Sequence, residues 1–149
     1  MQKLNFSIKI NAPKEKIWGV LFNDNTYRIW TSVFAPGSYA VTDRKKGSKA
    51  FFLDGNGNGM VSVVAENKPN EFLAIQHLGT VKDGLEDLIS DEVKGWAGAA
   101  ENYTLKELYG GVTELIIDID SDENFKNYFT KTWPRALEKV KELSEINSV

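Results

Sequence analysis

The chain has 149 residues, 42% of them hydrophobic and 26% charged, with a net charge of −3 and a pI near 5.3. This balance excludes a disordered chain and offers no basic footprint for a phosphate backbone, so nucleic acid is not an expected partner. Cysteine is absent, which rules out disulfides and thiol chemistry and is compatible with a reducing compartment, the cytoplasm.

The length predicts a single domain over residues 1–149, large enough to fold without a metal or cofactor. The start, Met1-Gln2-Lys3-Leu4-Asn5, lacks the apolar core of a signal peptide, and no run reaches membrane-spanning length. The first element is a strand, because Leu4, Phe6, Ile8 and Ile10 alternate with Lys3, Asn5, Ser7 and Lys9. Ala12-Pro13 then changes the period, and Ile17, Trp18, Leu21 and Phe22 follow at helical spacing. A second short helix over Thr26 to Ser32 carries Tyr27, Ile29 and Trp30 and stops at Pro36-Gly37.

Strands and turns occupy the middle of the chain. Tyr39 to Thr42, Ala50 to Leu53, Met60 to Glu66 and Phe72 to Leu78 read as strands separated by polar and glycine-rich turns. Gly79 to Gly95 is the least regular stretch. Ala99 to Leu108 and Val112 to Ile119 form a hairpin about Gly110-Gly111. The last element, Asp122 to Ile146, is a long amphipathic helix. Phe125, Phe129 and Trp133 stand four apart on one face, and Leu137, Val140 and Leu143 continue the stripe. So bulky a stripe needs a concave partner. A curved antiparallel sheet of about six to seven strands wrapped around this helix would supply one, an α+β architecture in which a hollow is expected where the large rings do not close-pack.

This order resembles the START-like, or helix-grip (SRPBCC), superfamily, and within it the branch of homologues of the activator of the heat-shock-protein-90 ATPase. The resemblance covers nearly the whole chain and rests on IKINAPKEKIWGVLFN, YRIWTSVFAPGS, AAENYTLKELYGGVTELII and FKNYFTKTWPRALEKVKELSE. Its members include carriers of lipids and steroids, hormone receptors, ring-modifying enzymes and co-chaperone domains, so it implies a cavity, not a reaction. The co-chaperones of that branch carry a separate N-terminal domain. A chain that opens on the first strand is expected to lack it, which sets chaperone activation in second place.

Several motifs invite sharper readings. Asp54-Gly55-Asn56-Gly57-Asn58-Gly59 matches the first half of a calcium loop, but the position of the closing glutamate is Ala65, so a hairpin turn is expected and no metal. Pro134 is expected to kink the last helix, serving its fit to the sheet. The acidic segment Lys82 to Lys94, with Leu85, Leu88 and Ile89, reads as a solvated amphipathic turn able to act as a lid. His77 is the only histidine. Alternation does not say which face of its strand is interior, and the same holds for Glu101 and Tyr103, two apart on theirs.

No catalytic residue is named. The expected function is non-catalytic binding of a small apolar or amphipathic molecule between the sheet and the last helix. Its wall would come from Trp30, Phe34, Phe52, Val63, His77, Trp96, Tyr103, Phe129 and Trp133, with His77 and Tyr103 orienting one polar end. The alternatives are a co-chaperone-like module with a protein partner such as a chaperone, and an enzyme for an aromatic or polyketide-like substrate. The latter requires at least two of Glu101, Tyr103 and His77 to converge inside.

Overall fold

The computed structural model describes residues 1–146. The alternating opening forms β1 (Gln2–Ile10), and Pro13, in extended conformation, caps the helix that follows. Helix α1 (Lys14–Phe22) buries Ile17, Val20, Leu21 and Phe22. Helix α2 (Asp24–Trp30) begins one residue later, buries Tyr27 and Trp30, and runs into a 3-10 turn over Thr31–Val33. Then come β2 (Tyr39–Val41), β3 (Lys49–Leu53), β4 (Gly59–Lys68) and β5 (Phe72–Lys82). A short β6 (Leu85–Asp87), a single helical turn α3 (Asp91–Lys94), β7 (Ala100–Tyr109), β8 (Val112–Ser121) and α4 (Lys126–Glu145) complete the chain.

The strands make one antiparallel sheet of eight, ordered β1-β8-β7-β5-β4-β3-β2, with β6 paired to β5 beside this path. The strand beyond the expected number is β6, in the segment whose sequence shows no periodicity. Its neighbour α3 is capped by Ser90, whose hydroxyl accepts from the Val93 N–H at 3.3 Å. Between Lys82 and Gly95 only Val93 is buried. Leu85, Leu88 and Ile89, the stripe expected to close over the interior, are turned to solvent.

Helix α4 starts later than its periodicity suggests. The Asp122 carboxylate accepts from the Asn124 and Phe125 N–H groups at 2.8 and 3.2 Å, a turn that competes with helix and holds 122–125 outside it. From Lys126 on, Thr132, Trp133, Ala136, Leu137, Val140 and Ser144 face inward. Pro134 lies on the exposed side with Thr130, so the carbonyl that loses its partner is on the solvent side of the helix. No helix among the described residues is long and apolar enough to cross a membrane.

Trp133 ties the elements together. Its ring centroid lies 4.9 Å from Phe34, 6.0 Å from Trp30, 6.2 Å from Tyr103 and 6.3 Å from Phe6. One side chain of α4 thus touches α2, the segment after it, β1 and β7. The Trp30 indole N–H, buried in the same cluster, donates to the Leu21 carbonyl at 3.1 Å. Trp133, Trp30 and Tyr103 are only 4, 1 and 2% exposed. The space around Trp133 that was expected to be hollow is therefore filled by the rings of Trp30, Phe34 and Tyr103.

Truncation of this ring should leave a cavity that the stiff surroundings cannot close. Trp133→Ala is expected to cost about 3–5 kcal/mol in urea-induced unfolding, whereas Phe125→Ala, at the exposed start of the same stripe, should change stability by less than about 0.5 kcal/mol.

Candidate functional site

The pairing of β5 with β7 decides the faces that alternation left open. Leu73 lies opposite Tyr103 and Ile75 opposite Glu101, and Leu73, Ile75 and Tyr103 are all buried in the core under the helices. His77, two residues beyond Ile75, therefore points inward with Glu101 and Tyr103. Strand β4 completes the group through an irregularity. Its register with β5 slips between Val61 and Ser62, leaving Leu78 without a partner and setting Ser62 opposite His77.

The same register corrects one expected wall residue. Val63 pairs with Lys49 and Gln76, both exposed, so it lies on the outer face of the sheet, and the inward neighbour is the polar Ser62.

Four side chains form a continuous chain on the inner face. Ser62 Oγ lies 2.6 Å from His77 Nδ1, and His77 Nε2 lies 2.9 Å from Glu101 Oε1. The Tyr103 hydroxyl donates to the other carboxylate oxygen. Ser62 is fully buried and its hydroxyl meets the ring at Nδ1, while the Nε2–H of His77 donates to the Glu101 carboxylate. Burial alone would raise the Glu101 carboxyl. The bond from His77, the charge of that ring when protonated, and the bond from Tyr103 outweigh burial and hold it below the ordinary carboxylate value. Tyr103 moves the other way, well above a free phenol, through burial and the adjacent carboxylate. The fully buried Ser62 cannot meet a substrate, so the row is not a nucleophile with its base.

This chain is not sealed. The side chains of His77 and Glu101 keep 12 and 24% of their surface exposed, although their neighbour Tyr103 is closed off. Antiparallel pairing explains the access. It gathers the end of β3 at Leu53, the start of β4 at Gly59, the start of β7 at Ala100 and the end of β8 at Ser121 at one end of the sheet, where α4 also begins. His77 lies near this end, with the Phe52 ring 5.9 Å away, edge-on. Phe34 and Phe129 are half-buried against the core, and the Tyr128 hydroxyl donates to the Phe34 carbonyl at 2.7 Å. Surface hollows of about 210 and 440 Å³ lie elsewhere, at the β7–β8 turn and beside Pro36 and Gly55.

The sequence-predicted residues thus separate. Phe34, Phe52, His77 and Phe129 stand on the inner side near the open end, Trp30, Tyr103 and Trp133 form the solid wall behind them, and Val63 is outside. Trp96 is half-buried on the turn between α3 and β7 and makes no ring contact among the described residues. Asp54 spends its carboxylate within its own turn, accepting from the Asn56 and Asn58 N–H groups at 2.8 and 3.1 Å. Among the described residues no group of three His, Cys, Asp or Glu side chains is arranged to hold a metal.

Sequence reasoning missed Ser62, because only the register slip aims it inward. It also missed Arg44, in a turn that reads simply as charged. Arg44 has a left-handed backbone, φ 57°, fixed by bonds from its N–H to Thr42 Oγ1 at 3.0 Å and from Asn67 Nδ2 to its carbonyl at 2.7 Å. Its guanidinium lies over Phe22 and Tyr27 at 5.2 and 5.5 Å and donates to the Phe22 carbonyl at 2.7 Å.

The shifted groups give opposite pH signatures. Glu101, with its folded-state pKa depressed, contributes stability above the unfolded carboxylate value of about 4.3 that is lost as pH falls through the folded value. Tyr27 and Tyr103, raised by burial, contribute stability that is present below about 10 and lost as pH rises through their folded values. Both phenols should ionise only as the protein unfolds in alkali, so phenolate absorbance and loss of tertiary circular dichroism should coincide. Tyr103→Phe should shrink that absorbance step, and Glu101→Gln should flatten the acid fall in stability.

No family profile and no curated protein matches the chain. Solved structures do. A Mesorhizobium loti protein, MLL2253, is 16% identical with a TM-score of 0.75, covering 99% of this chain and 100% of its own. The Aha1 dimer from Colwellia psychrerythraea is 21% identical with a TM-score of 0.70, covering all of both chains. CalU16 from Micromonospora echinospora is 15% identical with a TM-score of 0.68, covering 97% of this chain and 66% of its own. With its curved antiparallel sheet folded against one long C-terminal helix and two short helices after the first strand, the chain has the helix-grip, START-like fold.

Proposed function

We propose that the protein binds a small apolar or amphipathic molecule, without transforming it, at the open end between the sheet and α4. The observation that supports this reading most is the exposure of His77 and Glu101, 12 and 24%, although Ser62 and Tyr103 on either side of them are buried. A polar group left accessible beside half-buried rings is the arrangement small-molecule sites use, apolar surface for affinity and a few fixed polar atoms for orientation. In this reading Phe34, Phe52 and Phe129 hold the body of the ligand. Glu101 and His77 hold its polar end, and Tyr103 acts through Glu101. Trp30 and Trp133 form the floor, which limits the ligand to the outer part of the space. The absence of cysteine supports a reducing compartment, the cytoplasm.

Convergence of His77, Glu101 and Tyr103 favours a second reading, an acid–base enzyme for an aromatic substrate. Both ring nitrogens of His77 already have protein partners, so it would need a substrate that displaces one. Resemblance to the Aha1 dimer supports a third, a protein-interaction module, for which the exposed Phe125 and Tyr128 at the start of α4 are the natural contacts.

Native mass spectrometry of protein isolated from its own cells is expected to show a retained small molecule, and tryptophan fluorescence should respond to lipids or aromatic compounds. Phe52→Ala should then weaken binding about tenfold, ~1.4 kcal/mol, without loss of fold. Conversion of the bound compound would favour the enzyme. A bare mass together with indifference to every compound would remove the binding reading.

A further inference from the structure

The inner face carries a carboxylate that no lysine or arginine pairs among the described residues. Glu101 accepts from the Tyr103 hydroxyl and from a ring N–H of His77. Apart from His77, no basic group stands within ion-pair distance of it among the described residues. The other nearby charge, Arg44, is stacked on Phe22 and Tyr27 and bonded to a backbone carbonyl. A carboxylate offers about four acceptor positions, and the two bonds leave the rest free on a side chain that solvent still reaches.

The ring environment has a sign as well. Phe52 stands beside His77, and Phe34, Tyr128 and Phe129 line the start of α4 at the same end of the sheet. Aromatic faces are negative, so they attract a cation and add nothing for an anion. A ligand carboxylate or phosphate would meet Glu101 as a like charge in a partly desolvated setting, with no free basic group to offset it.

Resting on the binding reading above, we infer that the ligand is an amphipathic organic amine: an aromatic or aliphatic body held by Phe34, Phe52 and Phe129, with a protonated nitrogen donating to Glu101. The His77–Ser62 and Tyr103 bonds are the supports that keep the carboxylate ionised and aimed. They make Glu101 the residue that determines specificity, by choosing cations over anions and over neutral molecules of the same shape.

The test uses three probes with one aromatic body and different tails: naphthylethylamine, naphthylethanol and naphthylacetate, titrated calorimetrically into the full chain. The ammonium compound is expected to bind at least about tenfold more tightly than the alcohol, and the carboxylate not measurably. In Glu101→Gln, whose shape is conserved, the amine should lose its advantage over the alcohol. Equal binding of amine and alcohol, or binding of the carboxylate, would overturn the inference and leave the binding reading in place. Persistence of the amine preference in Glu101→Gln would overturn it too. Silence from all three probes would overturn the inference and leave the binding reading to the native mass spectrum. Should Glu101→Gln fail to fold, the wild-type series decides alone.

Discussion

The structure depends on one packing interaction, the insertion of Trp133 among Phe6, Trp30, Phe34 and Tyr103. A sheet that curves leaves a concave face, and a single helix cannot fill it with aliphatic side chains alone. Here α4 sends in its largest ring, and α2 with the segment after it supplies two more from the side. Each ring pair contributes about 0.5–1.5 kcal/mol beyond its buried area, and edge-to-face geometry makes the set directional. That directionality seats α4 on the sheet in one register, which then decides where the inner face is closed and where it stays open.

Closure is uneven for a steric reason. The rings come from β1, β7, α2 and α4, so they fill the volume over that part of the sheet. The inner positions of β4 and β5 nearer the start of α4 carry Ser62 and His77, side chains too small or too polar to extend the packing. Polar groups there must still be satisfied, and they satisfy one another in a row from Ser62 to Tyr103. The outcome is a solid aromatic wall beside a short polar ledge with Glu101 at its accessible point. An ionised carboxylate in that position survives because donors reach it from two sides, overcoming the cost of removing it from water.

Much of this was legible in the residues. The two-residue period of Leu4 to Ile10 and the four-residue spacing of Phe129, Trp133 and Leu137 are local consequences of strand and helix geometry, and both elements formed where those patterns run. Phe125 breaks the stripe because Asp122 captures the Asn124 and Phe125 N–H groups in a turn. The polar ledge was legible only as a list of candidates. His77, Glu101 and Tyr103 sit on strands with apolar residues on both faces, so alternation alone could not orient them. Val63 lies outside and Ser62 inside because a register slip is a property of two paired strands and has no signature in either one.

By itself, then, the sequence determined the order and period of the elements, the inward aromatic stripe of the last helix and the composition that excludes a nucleic-acid footprint, since these follow from residues close together in the chain. Only tertiary structure decided that the rings would fill the space around Trp133, that four polar side chains from three strands would join in one hydrogen-bonded row, and that Glu101 would remain within reach of solvent. Those outcomes depend on distances between segments dozens of residues apart, which are set when the sheet pairs and the helix docks.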